Sequence, residues 1–199
     1  MSISEEKRLT KKGEITRFKL LQTAERVFGE NGYFESSVVD ITQEAGVAQG
    51  TFYNYFPSKK SIYDELVYQM SSQLRRYIKE RISGTETFEE AQREGFLAFF
   101  EWVQNHRNLY SIIQQAVLVD LSLYEWYYEK LASGFIKAIN QAIDSGEIKS
   151  LDPETMAYCF MGIGQFLGMR WIYWNQKPVP EDKFEAAMSF IFGNIKRSG

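Results

Sequence analysis

The chain has 199 residues, 44% of them hydrophobic and 16% aromatic, which is ample for a packed core and excludes disorder of the whole chain. Its net charge of −3 excludes a generally basic coat for nucleic acid, yet the charge is uneven: residues 1–83 carry thirteen Lys/Arg against eleven Asp/Glu, and the remainder ten against fifteen. The lone cysteine, Cys159, excludes an intrachain disulfide, and without an apolar leader or a run of about 18 apolar residues the expectation is a soluble cytoplasmic protein with no membrane span.

Helical spacing runs through the chain and strand-like alternation is scarce. A first helix is predicted over 14–31, with Ile15, Phe18, Leu21, Ala24 (or Leu20), Val27 and Phe28 on one stripe and Asn31-Gly32 as its stop. Ser37 and Asp40 form a capping box for a short helix from Val38 to Ala45, which Gly46 ends. A second short helix, about Ala48 to Phe56, is stopped by Pro57. A long helix follows from Lys59 to Ile82, then one capped by Thr87 and Glu90 that reaches Gln104, and one from Leu109 to Val119. Ser122 and Glu125 suggest the box that opens a helix ending at Ser145-Gly146. Asp152-Pro153 starts a helix that runs to Trp174, and a last one covers Glu181 to Lys196. About nine helices and no convincing strand make an all-α protein, with a small N-terminal unit over 1–58 and a larger helical domain over 59–199.

Enzyme chemistry finds no footing. The only histidine, His106, has no Cys or His neighbours at ligand spacing, so no metal, cofactor or catalytic set is expected. It is either a polar residue at a helix end or a hydrogen-bonding group of a ligand pocket. Gly162, Gly164 and Gly168 miss the dinucleotide fingerprint by spacing and by lying inside a helix; small residues one turn apart suit a close helix–helix contact instead.

Two short helices joined through Gly46 have the layout of a helix-turn-helix, whose second helix enters the major groove of DNA. The stretch from Phe52 to Phe56 holds four aromatics, and helical phase sorts them. Phe52 and Phe56 share the core face with Val38, Ile41 and Ala45, while Gly50, Thr51 and Asn54 point away. Tyr53 and Tyr55 flank the core face with hydroxyls that can reach a phosphate. Gln49 can read a base edge, since its amide matches the N6/N7 edge of adenine.

From Val38 through Tyr63, and in Gly32-Tyr33 before it, the sequence resembles the DNA-binding signature of the tetracycline-repressor-like (TetR) family of bacterial regulators. Ala45-Gly46-Val47, Gly50-Thr51-Phe52-Tyr53, Tyr55-Phe56 and Ser58-Lys59 follow in order at the family's spacing, and the specific likeness covers about residues 14–68. The resemblance implies phosphate-contacting or capping roles for Ser36 and Ser37, base-edge contact for Gln49, Gly50 and Thr51, backbone grip for Tyr53 and Tyr55, and a phosphate contact for Lys59. Gln49 stands where many members have Lys or Arg, which implies one charge contact fewer per half-site. Lys7, Arg8, Lys11, Lys12 and Arg17 form either a basic arm for DNA or a frayed terminus.

The resemblance further implies a homodimer on palindromic double-stranded DNA and a helical domain that binds a small-molecule effector. The last two helices are the candidates for the subunit contact, through Met156, Phe160, Gly164, Leu167, Gly168, Phe184, Met188 and Ile191. Cys159 is expected as a small core residue. Trp102, His106, Tyr110, Gln114, Phe166 and Arg170 are the candidates for lining an effector pocket. The long helix is the expected lever between pocket and DNA, giving a ligand-released repressor. Two other readings are a DNA-binding regulator governed by a protein partner or by none, and an all-α enzyme or scaffold that shares the hairpin.

Overall fold

The computed structural model describes residues 10–195, and these form an all-helical protein. Among the described residues there are nine α-helices: α1 Lys11–Asn31, α2 Val38–Ala45, α3 Gln49–Tyr53, α4 Lys59–Arg81, α5 Phe88–Asn105, α6 Arg107–Val119, α7 Leu121–Asp144, α8 Pro153–Leu167 and α9 Glu181–Ile195. A π-helical turn, Gly168–Trp174, continues α8. No helix among the described residues is long and apolar enough to cross a membrane.

Most boundaries follow from local chemistry. Thr10 caps α1, and Gly32 at φ 85° ends it. Both partners of the Ser37–Asp40 box are engaged, and Gly46 at φ 62° lets the chain leave α2 in the left-handed conformation. A second reciprocal box, Ser58 with Ser61, opens α4. Asp152 caps α8 with Pro153 in its first turn.

Four expectations change. The first helix begins at Lys11, so Lys11, Lys12 and Arg17 are helical, while Lys7 and Arg8 lie outside the described residues. Its apolar stripe is buried only from Leu20 onward; Ile15 and Phe18 are exposed. The second short helix stops at Tyr53, because the amides of Asn54, Tyr55 and Phe56 all fold back onto Thr51 and Phe52 and Phe56 precedes a proline. Asp120, not Ser122, caps α7: the Asp120 carboxylate accepts the Leu123 N–H at 3.2 Å, and the Ser122 hydroxyl donates to that same carboxylate at 2.6 Å. Lys196, expected to close the last helix, lies outside the described residues.

The head, α1 to α3, is docked on the body through α1. A Cβ on Gly29 would lie 2.4 Å from Asn108 Cβ and 2.8 Å from Asn108 Cα, so α1 and α6 touch backbone to backbone there. Gln115 of α6 holds the end of α1, accepting the Tyr33 N–H at 2.7 Å and donating to the Phe28 carbonyl at 3.3 Å. From α4, the Tyr63 hydroxyl donates to the Ile112 carbonyl at 2.6 Å. Lys60 bridges Asp64 at 2.5 Å and Asp120 at 2.7 Å, tying the start of α4 to the α6–α7 corner. In the body, Gly164 and Gly168 do bring helices close: added Cβ atoms would meet Phe96 at 3.0 Å and Phe99 at 3.3 Å, both on α5.

Candidate nucleic-acid interface

The helix-turn-helix is anchored from below. Phe52 and Phe56 are buried with their ring centroids 5.7 Å apart, in one core with Ile41, Ala45, Leu20 and Ala24. That leaves the opposite side of α3 free. Gln49, Gly50, Tyr53 and Asn54 are exposed, and Thr51 and Tyr55 are half-buried. Nothing lies within 4 Å of a Cβ placed on Gly50, so a flat opening sits beside Gln49. Tyr53, 54% exposed, keeps its ring edge-on to Phe52 at 5.4 Å, which orients its hydroxyl outward from the core. The N-cap of α3, Ala48, offers no side-chain acceptor, so the first amides of α3 receive none from it.

Three of the nine expected DNA contacts hold bonds within the chain, Ser37 in the capping role expected of it. Ser36 is buried, and its hydroxyl donates to the Gly32 carbonyl at 2.5 Å and lies 3.3 Å from the Val27 carbonyl. It closes the end of α1 and faces away from solvent. Ser37 is bound up in its cap: its hydroxyl donates to the Asp40 carboxylate at 2.7 Å and accepts the Asp40 N–H at 3.2 Å. These bonds hold the Asp40 carboxyl below its ordinary range. Lys59 donates to the carbonyls of Tyr33 and Ser36, each at 2.8 Å, with its ammonium 4.2 Å from the Tyr33 ring centre. Burial lowers the Lys59 pKa, with Asp40 and Glu35 opposing. Lys59 therefore clamps the turn between α1 and α2 onto the start of α4 through two carbonyls three residues apart. The spacing also passes over Lys19. Its ammonium lies 3.8 Å from where a Cβ on Gly46 would sit, which puts an exposed cation beside the helix-turn-helix turn.

In the body, the six pocket candidates do not converge. Trp102 and His106 stack at 4.5 Å, with His106 Nδ1 2.9 Å from the Trp102 carbonyl, at the α5–α6 junction. Tyr110 and Gln114 face α8, where Gln165 donates to the Gln114 side-chain oxygen at 3.0 Å and the Gln114 amide nitrogen is buried without a partner. Phe166 and Arg170 are exposed, and Arg170 donates to Asn175 at 2.6 Å. A groove of about 530 Å³ opens elsewhere, between α5 and the π-turn–α9 segment, and none of the six lines it.

The eight subunit-contact candidates are turned inward. Met156, Phe160, Gly164, Gly168, Phe184, Met188 and Ile191 are buried within the chain, and Leu167 packs partly against the same core. The physical reason is phase: an apolar stripe on a helix marks the face its own domain buries. The outward faces of α8 and α9 instead carry Tyr158, Phe166 at 66% exposure and Phe190 at 71%. Cys159, expected in the core, is exposed. Among the described residues no group of three or more His, Cys, Asp or Glu is placed to hold a metal ion.

Residues 20–66 match the family model of bacterial regulatory proteins of the tetR family. An uncharacterised HTH-type transcriptional regulator of Bacillus subtilis, YvdT, is 31% identical over 132 residues, covering 65% of this chain and 68% of its own length. The HTH-type transcriptional repressor KstR2 of Mycobacterium tuberculosis is 23% identical over 188 residues, or 92% of this chain and 94% of that one. The crystal structure of the transcriptional regulator FadR of Bacillus subtilis in complex with stearoyl-CoA superposes with a TM-score of 0.76 at 24% identity, covering 87% of this chain and 96% of that one.

Proposed function

The chain belongs to the tetR family of bacterial regulatory proteins, and from that premise we propose that it works as a homodimer on a palindromic operator and is released by a small-molecule effector. That it is a transcriptional regulator and not an enzyme agrees with its relatives, which are named as regulators or repressors. The observation that carries the finer reading is the exposed end of α3. Gln49, Gly50, Tyr53 and Asn54 stand clear of the core on a helix held rigidly by Phe52 and Phe56. A helix of this kind fits the major groove, with Gln49, Gly50 and Thr51 at base edges and Tyr53, Asn54 and Tyr55 at the backbone. Lys19 joins them as a phosphate contact, while Ser36, Ser37 and Lys59 serve the interface by holding its shape.

One helix-turn-helix reads too few bases to find a single site, so two must act together, with half-sites about one helical turn or about 34–36 Å apart. Tyr158, Phe166 and Phe190 are large apolar side chains left exposed on α8 and α9, which supports a subunit contact through the outer faces of these helices. The division into a DNA-binding unit, 1–58, and an effector and dimerisation unit, 59–199, remains the working description of the chain.

Recovery of genomic fragments by the purified protein tests this reading. An enriched palindrome, bound less tightly as salt rises, is expected. Failure to enrich any palindrome sinks the operator reading. Sedimentation of Phe166→Glu/Phe190→Glu tests the subunit contact: the dimer should dissociate, and a dimer that persists would move the interface elsewhere.

A further inference from the structure

Two exposed surfaces of the chain complement each other. The first is the groove between α5 and the π-turn–α9 segment. Its floor is apolar, made by Leu97, Phe100, Ile172, Val179 and Phe184. Its rim is acidic, with Glu90, Glu94 and Glu101 along one face of α5 and Glu181 and Glu185 one turn apart at the start of α9. Arg81 and Arg93 occupy three of these carboxylates, Glu94, Glu101 and Glu185. Glu90 and Glu181 have no ion pair among the described residues; the Glu90 carboxylate accepts the Glu86 N–H at 2.9 Å.

The second surface is the N-terminal half of α1. Its own core leaves Ile15 62% exposed and Phe18 61%. Lys11, Lys12 and Lys19 stand exposed around them at three- and four-residue steps, so the five share one side of the helix. None of these lysines has an ion pair among the described residues, and Glu14 is the only acidic residue of 10–24, so the face is net positive. On both surfaces charges bracket an apolar centre. Lys12 and Lys19 are seven residues, or about 10 Å, apart on α1 with Ile15 and Phe18 between them, and Glu90 and Glu101 are eleven residues, or about 16 Å, apart on α5 with Leu97 between them.

We propose that the N-terminal half of α1 from one copy docks into the α5–α9 groove of a second copy, with Ile15 and Phe18 on the Leu97–Phe184 floor and Lys12 and Lys19 against Glu90 and Glu181. An amphipathic helix laid in an apolar groove is a common mode of protein recognition, and the opposite charges of the two rims fix its placement. The two surfaces differ, so the contact is heterologous: each copy offers a head and accepts one. It is separate from a subunit contact through the outer faces of α8 and α9. A docked head turns Lys19 toward carboxylates instead of phosphates, so self-docking withholds the protein from DNA, a consequence that rests on the operator reading above.

The test is sedimentation velocity of the full-length protein. A concentration-dependent assembly larger than the α8–α9 contact alone provides is expected at low salt, and raising the salt about tenfold should weaken it about tenfold. Glu90→Gln/Glu181→Gln should weaken it about fivefold by removing rim charge. Phe18→Glu, at an exposed position of α1, and Leu97→Lys, at an exposed position of the groove, should each sediment as the smaller species. A mixture of the two should form the larger complex again, because Leu97→Lys keeps an intact head and Phe18→Glu an intact groove. Circular-dichroism melts check that each variant is folded. Failure of the mixture to associate overturns the proposal, as does undiminished association of folded Glu90→Gln/Glu181→Gln. Wild-type protein that stays at the smaller size overturns it too and leaves the groove to another occupant. The sedimentation contains no DNA, so a failed operator search leaves its result standing, and failed association leaves operator binding standing.

Discussion

The head and the far side of the body are both helical, yet they are held together by different means. In the head, short helices are fixed at their ends. The Ser37–Asp40 box, left-handed Gly46 and the Lys59 clamp each set one turn of chain with a few directed bonds. In the body, the long helices α5, α8 and α9 are fixed along their sides by rings. Phe88, Phe160 and Phe192 meet at 6.2–6.3 Å, and Gly164 lets α8 settle onto Phe96. Directed bonds specify a unique local shape, which an interface that must match DNA needs. Ring packing is less directional and tolerates rearrangement, which suits the proposed response of the body to an effector.

The seam between the two regions is where the comparison breaks most sharply. Gly29→Ala places a methyl into the Asn108 backbone, where no flexible side-chain end can yield. It should cost about 2–3 kcal/mol by overpacking, read as a lower melting temperature and a loosened α1–α6 contact in amide exchange. Gly50→Ala is the control of opposite sign. With open space around it and a helical backbone, it should stabilise the fold by roughly 0.5–1 kcal/mol while crowding the approach to DNA. If both glycines answered alike, the seam would not be a close backbone contact.

Within the head, the next prediction separates shape from contact. Lys59→Met removes two charged hydrogen bonds to the Tyr33 and Ser36 carbonyls and should cost about 2 kcal/mol of stability. DNA binding should fall for every sequence alike, because the scaffold and not a base contact is lost. Gln49→Ala, at a fully presented position, should leave the melting temperature unchanged and shift preference by about 1 kcal/mol at one or two base pairs per half-site. A binding-site selection with both variants distinguishes them; a uniform loss for Gln49→Ala would move that residue to the DNA backbone.

The same contrast explains what could be read from sequence. Ser37, Asp40 and Gly46 lie within ten residues of one another, and their geometry is a local matter, so the helix-turn-helix was legible together with its core anchors Phe52 and Phe56. Ser36 and Lys59 were identified as interface residues, but their inward bonds were hidden, because those depend on carbonyls at Val27, Gly32 and Tyr33 coming together in space. At the body's outer face the pattern points the other way. Met156, Phe160 and Met188 catch the eye as a stripe because their own chain buries them. Tyr158, Phe166 and Phe190 break the stripe, and their exposure shows only once the fold is known.

The smallest effect tests whether directed bonds alone hold the head. The Asp40 carboxyl lies below its ordinary range because the Ser37 hydroxyl and N–H bond its charged form. The unfolded chain keeps an ordinary aspartate value near 3.9, so in the interval beneath it the unfolded state binds more protons than the folded one. Stability from this cap is therefore complete above about pH 4 and is lost as the pH falls through the lower folded value. Asp120 at the α6–α7 corner behaves in the same sense, held down first by Lys60, then by Ser122 and the Leu123 N–H. Amide resonances of Ser37 and Asp40 should move toward random-coil positions on acidification below pH 4, through the lowered folded value, and the ring-packed resonances of Phe160 and Phe192 should not. In Asp40→Asn the side-chain oxygen can still accept the Ser37 N–H but no longer titrates, so the acid response of the α2 cap should vanish. Persistence of that response in Asp40→Asn would assign the acid sensitivity to the Lys60–Asp120 bridge, and the head would then owe its shape to the body it rests on.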